Sequence, residues 1–219
     1  MRIRNKSWTK GELEKSPIFI RNAEEYKGKW QEVFNNNNPI HIELGCGKGY
    51  FVKEAMLQNQ HINYIAIDLI DTILGIANRN ILEKAEGKPI KNLVLTRYDI
   101  EEINNILSKE DNIERIYINF CNPWPKPRHK KRRLTHTRQL EKYKEFLKPG
   151  GEIYFKTDDD NLFKESLEYF KDCGFTEVKV TYDLHAEPNF WNNIETEHEI
   201  KFKNQGIKIK AGMFKNMLV

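Results

Sequence analysis

Along this chain the spacing of apolar positions changes period again and again. The run Ile40-His41-Ile42-Glu43-Leu44 predicts a strand, and apolar positions at helical spacing over 49–59 predict a helix behind it. The pairing recurs as a strand over 64–67 with a helix over 72–86. A third strand, over 93–96, is followed by helical spacing at Ile100, Ile103, Ile106 and Leu107. A strand over 113–120 precedes a helix over 137–147, and a strand over 152–156 precedes a helix over 161–173 that stops at Gly174. Two late strands are expected near 177–182 and 199–202, the second with Thr196, His198, Ile200 and Phe202 on one face. Alternating units of this length predict an α/β fold, a largely parallel sheet with helices on both faces. In front of it lies a polar, basic extension, residues 1–38, closing in the loop signal Asn35-Asn36-Asn37-Asn38-Pro39. Residues 39–219 then form one domain without internal repeats.

In open α/β sheets, ligands bind beyond the carboxyl ends of the strands. After the first predicted strand comes Glu43-Leu44-Gly45-Cys46-Gly47-Lys48-Gly49; the next four release Asp68, Asp99, Asn122 and Asp158. Any one of these polar residues would serve as a helix cap or turn. Five on one edge mark that edge as a site. Gly45 and Gly47 let the backbone turn tightly and approach a ligand closely. The Glu43 carboxylate, just before the turn, would repel a pyrophosphate. A ligand with a cationic end and a ribose suits it better, and S-adenosylmethionine has both. Asp68, 21 residues beyond Gly47, stands where a carboxylate meets ribose hydroxyls.

Charge sharpens this picture. The net charge is only +4, but the positive residues cluster: Arg2, Arg4, Lys6 and Lys10 at the start, six Lys or Arg over 126–133, and Lys201, Lys203, Lys208, Lys210 and Lys215 near the end. Clustering suits a localised polyanion contact. The middle cluster follows Asn122-Pro123-Trp124-Pro125-Lys126-Pro127, whose prolines force the chain out of the sheet. An aromatic beside dense positive charge can hold a nucleotide by ring and phosphates together, with Trp124 either stacking on a base or plugging the end of the core. Cys46, Cys121 and Cys173 are too scattered for a disulfide framework, no Cys/His spacing resembles a zinc site, and His185 and His198 lack metal partners at useful spacing. With no apolar stretch after the basic start, and no run of about 18 apolar residues, neither a secretory signal nor a membrane span is expected, and the protein reads as cytoplasmic.

Glu43-Leu44-Gly45-Cys46-Gly47-Lys48-Gly49, Asn119-Phe120-Cys121-Asn122-Pro123-Trp124-Pro125-Lys126, the run over 128–134, Phe155-Lys156-Thr157-Asp158 and Thr196-Glu197-His198-Glu199 occur in this order, and together they resemble the bacterial tRNA (guanine-N7)-methyltransferases. The resemblance spans nearly the whole chain. It implies a Rossmann-like class I methyltransferase with a seven-stranded sheet, using S-adenosylmethionine on a guanosine in the tRNA variable loop. It further implies that Glu43, Gly45, Gly47, Asp68, Asp99 and Asn122 line the cofactor site. Lys126, Asp158, Thr196, Glu197, His198 and Glu199 would contact the substrate, and Arg128, His129, Lys130, Lys131, Arg132 and Arg133 the RNA. One departure stands out: Asn122 occupies a position that is usually Asp in the family and is often assigned a catalytic role. Two rivals keep the fold. One is an amino-directed methyltransferase acting on adenine N6 or cytosine N4, whose strand end also carries Asn or Asp with prolines and an aromatic. The other is an RNA-binding protein without turnover.

Overall fold

The computed structural model describes residues 6–217. One eight-stranded sheet runs through it, in the spatial order β1-β4-β3-β2-β5-β6-β8-β7. The strands are β1 Phe19–Ile20, β2 Ile40–Leu44, β3 Asn63–Asp68, β4 Leu93–Arg97, β5 Ile113–Asn119, β6 Leu147–Thr157, β7 Phe175–Thr181 and β8 Lys210–Asn216. The first six of these positions pair in parallel, and β8 is antiparallel to both of its neighbours. The chain builds outward from β2 through β3 to β4 and then returns to place β5 on the other side of β2. The topological switch point therefore falls between β2 and β5.

The helices are α1 Trp8–Glu14, α2 Trp30–Phe34, α3 Tyr50–Gln58, α4 Asp71–Ala85, α5 Thr137–Phe146, α6 Asp160–Asp172 and α7 Glu197–Asn204. One face of the sheet buries Ile42, Leu44, Ile116, Ile118, Ile153 and Phe155 with α5 and α6. On the opposite face Ala66, Leu93 and Leu95 pack with α3, α4 and Leu13 of α1. This is the expected two-sided cover, because period-2 strands offer one apolar row to each layer.

Four expectations change. The sheet has eight strands, not seven, because the N-terminal stretch supplies β1: Phe19 and Ile20 pair with Leu95 and Thr96. That stretch is part of the core, since Leu13 and Trp30 are fully buried, and Trp30 Nε1 donates to the Ile106 carbonyl at 2.7 Å. Arg2 and Arg4 lie outside the described residues. The helical spacing after β4 forms a short 3-10 turn, Ile100–Asn105. The expected strand at 199–202 is the helix α7, and the last strand lies later, at Lys210–Asn216. Thr196 decides this: its hydroxyl accepts from Glu199 N at 3.1 Å while the Glu199 carboxylate returns to Thr196 N, a reciprocal capping box. Gly212 disguised β8, because a strand-interior glycine weakens the pattern; here the Phe214 ring fills the space a Cβ would take.

Candidate active site

At the switch point, Asn119 of β5 donates from Nδ2 to Glu43 Oε1 of β2 at 2.9 Å and so spans the crevice. Glu43 is buried, and its other oxygen, Oε2, has no hydrogen-bond partner among the described residues. Burial pushes the carboxyl pKa up to about 8, against the opposing pull of Asn119 and the Lys156 ammonium. A buried carboxylate with one vacant oxygen is costly unless something cationic meets it. Gly45, Gly47 and Gly49 follow with φ of 78°, 54° and 74°. Gly45 N and Cys46 N both donate to the Ile67 carbonyl at 2.9 Å, which folds the loop back over β3. A Cβ on Gly45 or Gly47 would meet nothing within 4 Å, so both face open space. Gly49 instead packs on α4, where a Cβ would lie 3.1 Å from Ala77.

Asp68, at the end of β3, accepts from Gly47 N and Ile70 N at 3.0 Å each. The carboxylate thus ties the glycine loop to its neighbour while burial raises its pKa. Asp99 is exposed and caps the 3-10 turn by accepting from Glu101 N at 2.9 Å. Beyond β5 the backbone takes left-handed conformations at Phe120 (φ 54°) and Trp124 (φ 42°), on either side of Asn122. Bulky residues pay about 1–3 kcal/mol each for this, so the surroundings must enforce it. They do: Phe120 N donates to the Lys156 carbonyl at 2.9 Å, and Arg133 Nε donates to the Pro123 carbonyl at 2.6 Å. Asn122 is left exposed at the rim, its side chain without a hydrogen bond among the described residues.

The basic run divides in two. Pro127–Arg132 is a 3-10 turn. Arg133 is only 2% exposed and is clamped by Glu165 of α6 at 2.7 Å, so its expected role toward RNA is replaced by holding the proline loop. Lys130 shares that glutamate at 2.7 Å. Lys126, Arg128, Lys131 and Arg132 are exposed and make no ion pair among the described residues. Trp124 belongs to the basic turn and not to the core: the Arg132 guanidinium lies 5.3 Å from its ring centroid, and His129 meets it edge-on at 5.7 Å. The C-terminal cluster behaves differently, with Lys203, Lys208 and Lys210 each paired to a carboxylate, Glu195, Asp183 and Asp160.

Among the residues expected to contact the substrate, the structure separates neighbours that were grouped together. Glu197 pairs with Lys48 of the glycine loop at 2.9 Å. His198 stacks near Phe120, with ring centroids 6.0 Å apart and planes 20° from parallel. Thr196 is the helix cap, and Glu199 points inward and is fully buried against Lys156 at 2.6 Å. The Asp158 side chain remains uncommitted among the described residues, because Asp159 caps α6 through Leu162 N at 2.7 Å.

A family model described as "Putative methyltransferase" matches residues 37–211. The chain is 59% identical over 213 residues to the tRNA (guanine-N(7)-)-methyltransferase of Clostridium botulinum (strain Eklund 17B / Type B), covering 96% of each chain. It is 52% identical over 214 residues to that of Desulfitobacterium hafniense (strain Y51), covering 98% of this chain and 96% of the relative. The chain belongs to the tRNA (guanine-N(7)-)-methyltransferase family. Among solved structures, one described as an antibiotic related methyltransferase superposes with a TM-score of 0.63 at 18% identity, covering 87% of this chain and 93% of the other. The 16S rRNA methyltransferase KamB does so with a TM-score of 0.63 at 11% identity, covering 86% and 92%. At these identities the likeness establishes the shared fold.

Several groups of this methyltransferase escaped the sequence reading. Asn119 and Lys156 are polar residues near the carboxyl ends of β5 and β6, after the apolar runs 116–118 and 153–155, and alternation puts Lys156 on the same face as Tyr154. A lysine there requires a buried partner, which was the available signal. The fold also brings His185, Glu195 and Glu199 within 4.8 Å of one another, a convergence their sequence spacing hides. Lys203 and Lys156 already balance the two carboxylates at 2.7 and 2.6 Å, so the cluster is an ion-pair network.

Proposed function

We propose that the chain transfers a methyl group from S-adenosylmethionine to N7 of a guanosine in the tRNA variable loop. The observation that carries this reading is the vacant buried oxygen of Glu43 beside the open glycine loop, in a chain of this family. The residues fit the cofactor. Glu43 offers an anionic oxygen to the ammonium, Gly45 and Gly47 leave room for close backbone approach, and Asp68 stands at the strand tip for the ribose. When bound, S-adenosylmethionine supplies an electrophilic methyl on a sulfonium. Guanine N7 has an in-plane lone pair and no proton, so no residue has to act as a base. What this chain must do is align the purine and manage moving charge.

Asn122, at the rim beyond β5, can orient a base edge by hydrogen bonds but brings no negative charge. Lys126, Asp158, Thr196, Glu197 and His198 are the groups assigned to the nucleotide. Glu199 acts from beneath them. Arg128, His129, Lys131 and Arg132 meet phosphates, with Lys130 partly held by Glu165; lysine at scattered spacing supplies charge and not base readout. In this reading 39–219 is the catalytic domain, braced by the packed N-terminal stretch. Among the described residues no helix is long and apolar enough to cross a membrane, and the cytoplasm is the compartment in which such an enzyme meets tRNA. The test is transfer of labelled methyl to tRNA, followed by borohydride reduction and aniline cleavage. Cleavage at one variable-loop guanosine supports the reading. Label without cleavage would favour the amino-directed rival, and no label the RNA-binding rival.

A further inference from the structure

Lys156 connects both halves of the rim. It lies in the central part of the sheet on β6, 2% exposed, and three acceptors surround its ammonium: Glu199 Oε2 at 2.6 Å, Asn193 Oδ1 at 3.0 Å and the Ile194 carbonyl at 3.0 Å. All three belong to the segment that leads into and begins α7. Glu199 Oε1 in turn accepts from Asn193 Nδ2 at 2.6 Å, so the carboxylate is saturated on both oxygens. Through its backbone carbonyl the same lysine receives Phe120 N, the residue on which His198 stacks. Its charge also acts on Glu43.

A buried lysine is an expensive way to hold a helix. Replacing a buried ion pair by apolar residues of similar volume is often neutral or stabilising, so stability alone does not account for this one. What the pair does provide is direction. Hydrogen bonds to three acceptors fix where α7 starts, whereas apolar contacts would let the segment slide. We infer that Lys156 is a positioning residue for methyl transfer: its ammonium fixes residues 193–199 against β6, so that Glu197 docks on the glycine loop and His198 on the exit of β5. This rests on the methyltransferase reading above and adds to it the device that registers the nucleotide-facing wall to the cofactor-facing one.

The test uses the full chain. Lys156→Met with Glu199→Leu removes both charges together and keeps the volume apolar. The expected result is thermal stability close to that of the unsubstituted protein and faster hydrogen exchange over 193–199. At saturating cofactor, kcat/KM for tRNA should fall at least tenfold. A merely structural pair would let stability and turnover return together, and that outcome overturns the inference. Should the double variant fail to fold, Asn193→Ala decides: it leaves the ion pair but removes the amide shared by Lys156, Glu199 and Trp191 Nε1. Two- to fivefold slower tRNA turnover with an intact fold supports positioning, and unchanged turnover overturns it. If the unsubstituted protein leaves N7 unmodified, the methyl-transfer reading fails by itself. The exchange measurement on the same variants then still shows whether Lys156 fixes the segment, and unchanged exchange overturns that too.

Discussion

Two glutamates are buried in this one rim, and their surroundings are opposites. Glu199 has both oxygens occupied, by Lys156 and Asn193, and it opens a helix. Glu43 has one oxygen on Asn119 and one on nothing among the described residues. The first carboxylate is finished by the protein, and the second keeps one oxygen free among the described residues, as the proposed cofactor role requires. Burial by itself therefore does not distinguish a structural acid from a binding one. The count of satisfied oxygens separates these two, because a buried oxygen left unpaired carries a desolvation cost that a ligand, a water or an ion can offset.

The comparison can be broken by removing each acid in turn. Glu199→Leu strands the Lys156 ammonium inside the protein and should cost about 3–5 kcal/mol in urea unfolding. A loss below about 1 kcal/mol would show that Lys156 does not need its partner. Glu43→Gln should leave stability equal or higher, since a neutral amide removes the cost of keeping this buried carboxyl protonated at a pH where the unfolded chain ionises it. Cofactor affinity by calorimetry should fall by about 10- to 100-fold, the range for losing a hydrogen bond to a charged group. Equal loss of stability in both variants would erase the distinction.

pH sharpens the contrast. With its pKa raised to about 8, Glu43 is mostly protonated in the empty site at neutral pH, and it must ionise to meet an ammonium. Cofactor affinity should therefore climb by up to about tenfold per unit below pH 8 and level off above it. The effect on folding has the opposite sign. The unfolded chain ionises from about 4.5, and the folded one holds its proton to about 8, so this residue's contribution to stability is lost progressively across that window. Affinity that is flat from pH 6 to 9, or a slope that survives in Glu43→Gln, would remove Glu43 as the ionising group.

Smaller effects separate the two basic regions. Arg128→Ala, Lys131→Ala and Arg132→Ala should each flatten the salt dependence of tRNA binding by about 0.7–0.9 log units per decade of salt. Lys208→Ala should leave the slope unchanged, because Asp183 already holds that cation at 3.1 Å. Equal slopes in all four variants would mean that the free run is not the phosphate contact. The smallest change expected is in Asn122→Asp, a modest increase in kcat at neutral pH from a negative charge beside the developing purine cation. An Asp variant no faster than the parent shows that charge at this position is not limiting.

The strand ends that carry the proposed cofactor residues were readable in the sequence. Glu43, the glycine loop and Asp68 fall on the ends of consecutive strands, and period-2 against period-3.6 spacing is a local property that places strand ends within a few residues. The local structure of the residues proposed for the substrate was less legible. Residues 196–203 alternate well enough to imitate a strand, and only the capping box, closed by burial of Glu199, turns them into α7. Arg133 looked like its neighbours in the basic run until Glu165, brought across by α6, claimed it. The two errors differ in cause: Thr196-x-x-Glu199 is a local capping signature that strand-like alternation outweighed, whereas nothing near Arg133 in the sequence shows that its counter-charge comes from α6.

Local order along the chain was enough to indicate the α/β architecture and the chemical kind of cofactor, since each follows from neighbours within a few residues. The assembled fold alone decided which charges are spent and which are available. Lys156 meets Glu199 across 43 residues, Glu43 meets Asn119 across 76, and Lys48 meets Glu197 across 149. Electrostatic partnership is set by distance in space and by exclusion of water, and neither exists until the layers have packed.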